Sequence, residues 1–538
     1  MIAALVLLAA CPILLMLDRV YRSTDLNYAD FWSALSRITN PDGSVKLRGF
    51  FTYQNEHPFL VPQLLYYLDI KLFHGTNRSL GYYVLLLGIA TLALMYRLLP
   101  KVWPTTSRVL FLVAASAIVF CPTGAWNYVR GMSGTAWLTA NVLSLLAILA
   151  MTRGRTVIAV TLAAVALLSY GTGFGAPVAL VVIAVLRRDA RWKLLLPAGL
   201  FVGAGIVYYL TANGGTSGHP SRDPALLIQT FLTNLSTLWD SNGDSTALLL
   251  GALGLALAAV AFLRYWPRRA EFTDLVPWWA LLAYTLVGAA LISVGRSQVF
   301  DGNGSQSRYI SVTALFWVAV AVLAIRTAPV RLVRRAAIGA LVLAVFVFWG
   351  ASPQIFMTAS NESAVQNETA AAMQVGAVDP FRQRVFQIDD QIQRLKNLHA
   401  YPFVSSYRIG CGYKPFDTVD LAKVQQLPTT MYPNLISFDT DKTVGSTRQV
   451  TGWVYRPGVA TTCVLLVDGS GKIVGGGSAH VPRSDVAASN PALPQDAGFD
   501  AVAPVSAGTT TILLGFADGL YKLPSNLPDP ATAQQPSK

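Results

Sequence analysis

Runs of about 20 mostly apolar residues, the length that crosses a bilayer, constrain this chain more than any other feature. They fall at 2–17, 81–99, 109–125, 135–151, 156–172, 174–187, 194–211, 246–264, 275–294, 308–325 and 336–352, about eleven in all. Composition agrees, since 53% of the 538 residues are hydrophobic and 13% charged, against roughly 25% charged in a soluble globular protein. The sequence predicts a mainly α, polytopic membrane helix bundle in which one or two of the shorter runs are re-entrant or tilted.

The net charge of +13 does not mark a nucleic-acid-binding face, because the basic residues sit in short turns between apolar runs. Arg97, Lys101 and Arg108 occupy one turn, Arg153 and Arg155 the next of its kind, then Arg187, Arg188, Arg191 and Lys193. Arg264, Arg268 and Arg269 follow, and then Arg326, Arg331, Arg334 and Arg335. Every second loop is basic, while the loops between them carry Arg130, Arg222, Arg296 and Arg308. The positive-inside rule then predicts a cytoplasmic N-terminus and an extracytoplasmic C-terminus. The run at 2–17 lacks a basic leader and a small-residue cleavage site before Asp18-Arg19, so a retained first helix is expected.

The expected organisation is a transmembrane domain over 1–352 with its first outer loop at 18–80. An extracytoplasmic helical connector follows at 353–443, then a small β-sandwich at 444–523 and a disordered tail at 524–538. In the connector Phe381, Val385, Ile388, Ile392 and Leu395 recur at spacings of three and four, which predicts an amphipathic helix over 381–398. Alternating runs at Gln449–Tyr455, Thr461–Val467, Lys472–Val474 and Thr510–Phe516 predict strands, with Asp468-Gly469 and Asp518-Gly519 as hairpin turns. The tail from Pro524 is too polar and proline-rich to bury a core. Cys11 and Cys121 lie in apolar runs as packing residues, whereas Cys411 and Cys463 lie in the outer region, where a disulfide is allowed.

Candidate chemistry gathers on the outer loops. Asp25 and Asp30 stand just past the first apolar run among Tyr28, Phe31 and Trp32. An interfacial helix with its acids in water accounts for that pattern, as does a pair of catalytic carboxylates. Glu56-His57-Pro58 opens the apolar stretch Phe59–Leu72, which Pro62, Gln63, Asp69 and Lys71 keep from spanning. A carboxylate held near an apolar surface has a raised pKa and serves as a base near neutral pH. Arg296 ends one run, and Arg308-Tyr309 begins the next. Arginine at such depths needs a partner, and a phosphate suits its planar fork; Asp301 or lipid headgroups would serve as well. Arg130, in the outer turn Trp126–Gly131, can join the same group. His57, His74, His219, His399 and His480 are scattered without a zinc spacing. Asp25 and Glu56 leave room for one divalent cation, Mg²⁺ or Mn²⁺. The glycine-rich turn Tyr170–Gly175 lacks the spacing and lysine of a phosphate-binding loop.

On these residues the chain resembles the GT-C superfamily of membrane glycosyltransferases, in a bacterial branch. Asp25 or Asp30 stands where that family places an acid soon after its first helix. His57-Pro58-Phe59-Leu60 stands where many members carry His-Pro-Pro-Leu, with Phe59 replacing the second proline. The resemblance implies an inverting transfer of a sugar from a polyprenyl-phosphate donor to a cell-envelope glycan, lipid or protein on the outer face of the bacterial plasma membrane. Asp25 or Glu56 would be the base, and His57 would orient donor or acceptor. Arg296, Arg308, Tyr309 and Arg130 would hold the donor phosphate. The β-domain is similar to small domains appended to bacterial cell-surface glycosyltransferases, which makes Trp453 a glycan-stacking candidate beside its reading as a core residue. Two other readings stay open, an O-antigen polymerase or ligase and a non-enzymatic flippase for lipid-linked glycans.

Overall fold

The structure, a computed structural model, describes the chain except residues 1, 56, 212–222, 240–244, 300–303, 329–338, 340–358, 428–434, 490–492, 509 and 524–538. The eleventh apolar run and the proline-rich tail therefore lie outside the described residues. Two compact units result. The first comprises Met1–Arg22, Leu47–Tyr66 and Arg78–Phe356; the second comprises Ser23–Lys46, Tyr67–Asn77 and Met357–Lys538.

The early helices are α1 (Ile2–Arg22), α2 (Asp30–Ile38), α3 (Leu60–Phe73), α4 (Asn77–Leu98), α5 (Thr105–Val119) and α6 (Ala125–Val129). They are followed by α7 (Gly131–Thr152), α8 (Thr156–Leu167), α9 (Gly175–Arg187), α10 (Arg191–Thr211) and α11 (Pro224–Ser236). The remainder are α12 (Ser245–Tyr265), α13 (Val276–Arg296), α14 (Ile310–Thr327), α15 (359–375), α16 (Ile388–Leu398) and α17 (Ser484–Ser489). Among the described residues α1, α4, α7, α10, α12, α13 and α14 are long and apolar enough to cross a membrane. An eighth span results if α5 and the segment Pro122–Val129, bent by 44°, count as one. The bend falls where Pro122 has no N–H to continue the ladder. The expected spans at 156–172 and 174–187 are the short α8 and α9, of 12 and 13 residues. Between them Gly171–Phe174 forms a 3-10 turn.

Within the first unit α7, α13 and α14 are buried along most of their length, while α1, α10 and α12 turn apolar residues outward, as helices facing lipid do. Cys121 is packed inside, but Cys11 is exposed on α1. Polar side chains tie the buried helices together. Tyr284 Oη on α13 donates to Asn141 Oδ1 on α7 (2.6 Å), and Asn141 Nδ2 donates to the Ser311 carbonyl on α14 (3.1 Å). The indoles of Trp278 and Trp317 donate to the carbonyls of Leu98 (3.0 Å) and Leu235 (2.7 Å). In a medium without water these bonds satisfy groups that would otherwise be stranded.

In the second unit the four short alternating runs predict two packed sheets, yet eight strands form one. After β1 (Tyr53–Gln54) and β2 (His57–Pro58) of the first unit come β3 (Gln425–Gln426), β4 (Ile436–Val444), β5 (Thr447–Val454) and β6 (Thr461–Val467). The rest are β7 (Ile473–Val481), β8 (Gly498–Pro504), β9 (Thr511–Phe516) and β10 (Gly519–Lys522). Their order is β3-β10-β9-β6-β7-β8-β5-β4, with only the β3–β10 pair parallel. The expected sandwich is thus a single curled sheet, a half-barrel. The reason is β8, which inserts between β5 and β7 and joins the hairpins by hydrogen bonds instead of leaving them as separate layers. Val450, Val464, Leu466, Phe499, Ala501 and Leu514 form a core on one face of the sheet. The disulfide Cys411–Cys463 forms, Cα–Cα 5.6 Å. Gly515 on β9 makes room for it, since a Cβ there would collide with both sulfurs.

The amphipathic helix is shorter than its stripe predicts. Residues 379–381 form a 3-10 turn, and α16 starts only at Ile388, because Gln387 takes a left-handed conformation (φ 51°). The helix packs on α2 of the same unit. Gln391 Nε2 donates to the Trp32 carbonyl (3.0 Å) and Ser36 Oγ (2.7 Å), and Asn397 Nδ2 donates to the Pro41 carbonyl (2.8 Å).

Candidate functional site

In the first unit His57 is held by the short β1–β2 pairing, Gln54 opposite His57 and Tyr53 opposite Pro58, around a turn at Asn55 (φ 52°). Its ring lies on Tyr170, centroids 4.2 Å apart. Next to Tyr170, a Cβ at Gly171 would come 2.6 Å from His57 Nδ1. Only glycine lets that turn approach so closely. Tyr170 stacks on Trp137 of α7 (4.2 Å), and Trp137 meets Tyr309 edge-on (5.4 Å). The Arg308 guanidinium caps the Tyr309 ring at 5.2 Å, with Nη2 3.4 Å from Tyr309 Oη. The Arg308 carbonyl accepts from Asn127 Nδ2 (3.1 Å), and three residues on Arg130 covers the Trp126 ring at 4.2 Å.

Four segments far apart in sequence therefore meet in one ladder, His57–Tyr170–Trp137–Tyr309–Arg308, with Trp126–Arg130, just before Trp137 in the chain, joined through Asn127. Phe59 flanks it, 6.3 Å from Tyr170 and 5.9 Å from Tyr66, whose hydroxyl donates to the Met132 carbonyl (2.7 Å). Tyr309 and Trp137 are buried, while His57, Tyr170 and Arg308 are half-exposed. Arg296 is half-buried at the last residue of α13, where Nη1 donates to the Gly295 carbonyl (3.2 Å).

Asp25 and Asp30 belong to the second unit. Asp25 is half-buried inside a cradle of buried polar residues. Asn77 N–H donates to the Asp25 carbonyl (2.9 Å), and Asn77 Nδ2 donates to the Thr24 carbonyl (3.1 Å). Asn27 Nδ2 donates to the Gly75 carbonyl (2.8 Å), and Thr24 Oγ1 accepts from Leu26 N–H (3.1 Å). Asp30 is instead exposed at the start of α2, beside Arg37. Glu56, His219, Arg222 and Asp301 lie outside the described residues. Among those described, no group of three or more His, Cys, Asp or Glu is placed to hold a metal ion. Trp453 is half-buried on β5, opposite Ser437 and Gly498, on the face it shares with Gln449 rather than with the core residues Val450 and Val454.

Sequence reasoning missed Tyr170, Trp137 and Asn127. The available signal was the tyrosine leading the glycine-rich turn at 170–175, which matters for what it lets approach and not for any phosphate-loop spacing. It also missed the asparagine cradle, whose trace is the pair of polar runs at 23–27 and 75–79 flanking the first loop. No family profile, curated protein or solved structure matches this chain.

Proposed function

We propose that this multi-pass membrane protein is an inverting glycosyltransferase of the GT-C type, using a polyprenyl-phosphate sugar donor on the outer face of a bacterial plasma membrane. The observation that carries the reading is the ladder His57–Tyr170–Trp137–Tyr309–Arg308. The half-exposed His57 and Tyr170 rings at one end give a sugar ring an apolar surface, the half-exposed Arg308 guanidinium at the other suits a phosphate, and the buried Trp137 and Tyr309 hold the two ends at a fixed separation. A lipid-linked donor reaches the end of a membrane helix such as α14 by lateral diffusion.

In the reaction the acceptor hydroxyl oxygen attacks the anomeric carbon, the bond from that carbon to the phosphate oxygen breaks, and the polyprenyl phosphate leaves. The hydroxyl proton goes to a carboxylate, for which Asp25 and Glu56 are the two candidates; of the two aspartates, Asp25 has its peptide fixed by buried amides whereas Asp30 is exposed. Arg308, with Arg130 and Arg296, would stabilise the leaving phosphate, and His57 would orient donor or acceptor. The basic loops favour a cytoplasmic N-terminus. The Cys411–Cys463 bridge fits a second unit in an oxidising compartment.

The test is transfer by the purified full chain in lipid nanodiscs, from a panel of undecaprenyl- and decaprenyl-phosphate sugars to envelope acceptors. Arg308→Ala should lower turnover by ~10²–10³, as loss of one charge-stabilising donor does, with Arg308→Lys recovering part of it. Wild-type turnover in Arg308→Ala sinks the site. A donor that binds and crosses the bilayer unreacted points to a flippase.

A further inference from the structure

Helix α15 lies on the face of the curled sheet opposite its Val450–Phe499 core, and a buried acid sits at that contact. Ser478 Oγ on β7 donates to the Ala364 carbonyl of α15 (2.6 Å). One turn later, Gln449 Nε2 on β5 reaches Glu368 Oε1 at 3.4 Å. Strand register puts the two anchors on one face. Ser478 is opposite Asp500 of β8, and Gln449 is opposite Val502, two residues on. Asp500 thus lies between the anchors, on the same face as both, beneath the helix. Glu368 is only 2% exposed, and no carboxylate–cation bridge to it exists among the described residues.

The charged and polar groups facing this pair are few. Glu368 faces Asp500 on β8, Gln449 on β5 and Arg384 in the turn after α15; Asp500 faces Arg483 and Asp439. We propose that Glu368 is a proton-operated latch, which in its neutral form holds α15 on this face of the sheet and on ionising lets the helix lift away. Burial first, and the neighbouring Asp500 carboxylate second, push Glu368 up to about 8. Burial likewise lifts Asp500 to about 6.

The sign follows from linkage. An acid whose folded-state pKa exceeds its unfolded value stabilises the fold in its protonated form. That contribution is complete below the ordinary glutamate range and is lost as pH rises toward 8. Local opening of α15 should therefore become easier across neutral pH, at a site remote in sequence from the proposed catalytic residues.

Hydrogen–deuterium exchange on the full chain in detergent micelles, corrected for intrinsic exchange at each pH, reads this directly. Between about pH 5 and 8 the opening constant of residues 359–375 should rise by up to about tenfold per pH unit, then level off. In Glu368→Gln, which carries no proton to lose, any rise should end near pH 6 with the ionisation of Asp500, and the opening constant should stay flat from there to pH 8. A wild type with no rise, or a Glu368→Gln variant with the wild-type rise, overturns the proposal. Should Glu368→Gln fail to fold, Asp500→Asn gives the second measurement. It removes the neighbouring charge, so the rise should shrink, and an unchanged rise overturns the latch equally.

Discussion

Breaking the Cys411–Cys463 bridge should destabilise the second unit by an amount that follows from chain length. The two cysteines are 52 residues apart, and the loop-closure entropy of a cross-link that long corresponds to about 4 kcal/mol at 25 °C. The double variant Cys411→Ala/Cys463→Ala is the cleaner perturbation, since it avoids stranding one thiol beside Gly515. In urea, with a slope of roughly 2 kcal/mol per molar, the loss moves the unfolding midpoint down by about 2 M. Exchange protection of β5–β9, measured in the full chain in micelles, isolates this unit from the helix bundle. A shift under about 0.5 M, or an equal loss of protection in α7 and α13, would refute the reasoning. The first would mean the unfolded chain is not freed by losing the bridge; the second, that the effect is not confined to the sheet.

Two further outcomes test the bundle and the ladder. Tyr284→Phe removes the hydroxyl that donates to Asn141 and leaves a buried acceptor short of a partner, so it should cost roughly 1–2 kcal/mol in unfolding from detergent; an unchanged midpoint counts against the polar tie. Gly171→Ala puts a Cβ 2.6 Å from His57 Nδ1, so the ring must yield by several tenths of an ångström. Turnover should then fall by about tenfold or more with little change in unfolding midpoint, and wild-type turnover would remove His57 from the site.

Hydropathy was a sufficient guide to the long helices, because an apolar run of that length has one stable solution in a bilayer. It overstated the number of spans where Gly171 and Gly173 cut a continuous apolar stretch into α8 and α9. Strands β6 and β9 announce themselves through β-branched and aliphatic runs, and the Asp468 and Asp518 turns through their aspartate–glycine pairs. Strand β8, Gly498–Pro504, is poor in strand formers and rich in alanine. It is a strand because β5 and β7 supply partners on both edges, which periodicity cannot register. Gln387 ends the helical stripe early through a backbone conformation that the side-chain pattern does not carry. The ladder was half legible: His57, Arg308 and Tyr309 have chemical types that draw notice, whereas Trp137 and Tyr170 read as ordinary apolar packing until tertiary contacts bring them between the other two. The preference for Asp25 over Asp30 rests on Asn77, fifty residues downstream.

That asparagine belongs to a wider circumstance with a consequence for biosynthesis. The second unit draws on residues 23–46 and 67–77, made almost first, and on residues from 357 onward, made last. Helix α2 buries Phe31, Trp32 and Leu35, and α16, one of the helices it packs against, leaves the ribosome only after every described membrane helix. Throughout synthesis, then, an amphipathic segment waits with its aromatic face unsatisfied. A chain truncated before α16 would keep its membrane helices yet display that face permanently, giving quality-control proteases and chaperones a mark of incompleteness on the earliest part of the protein.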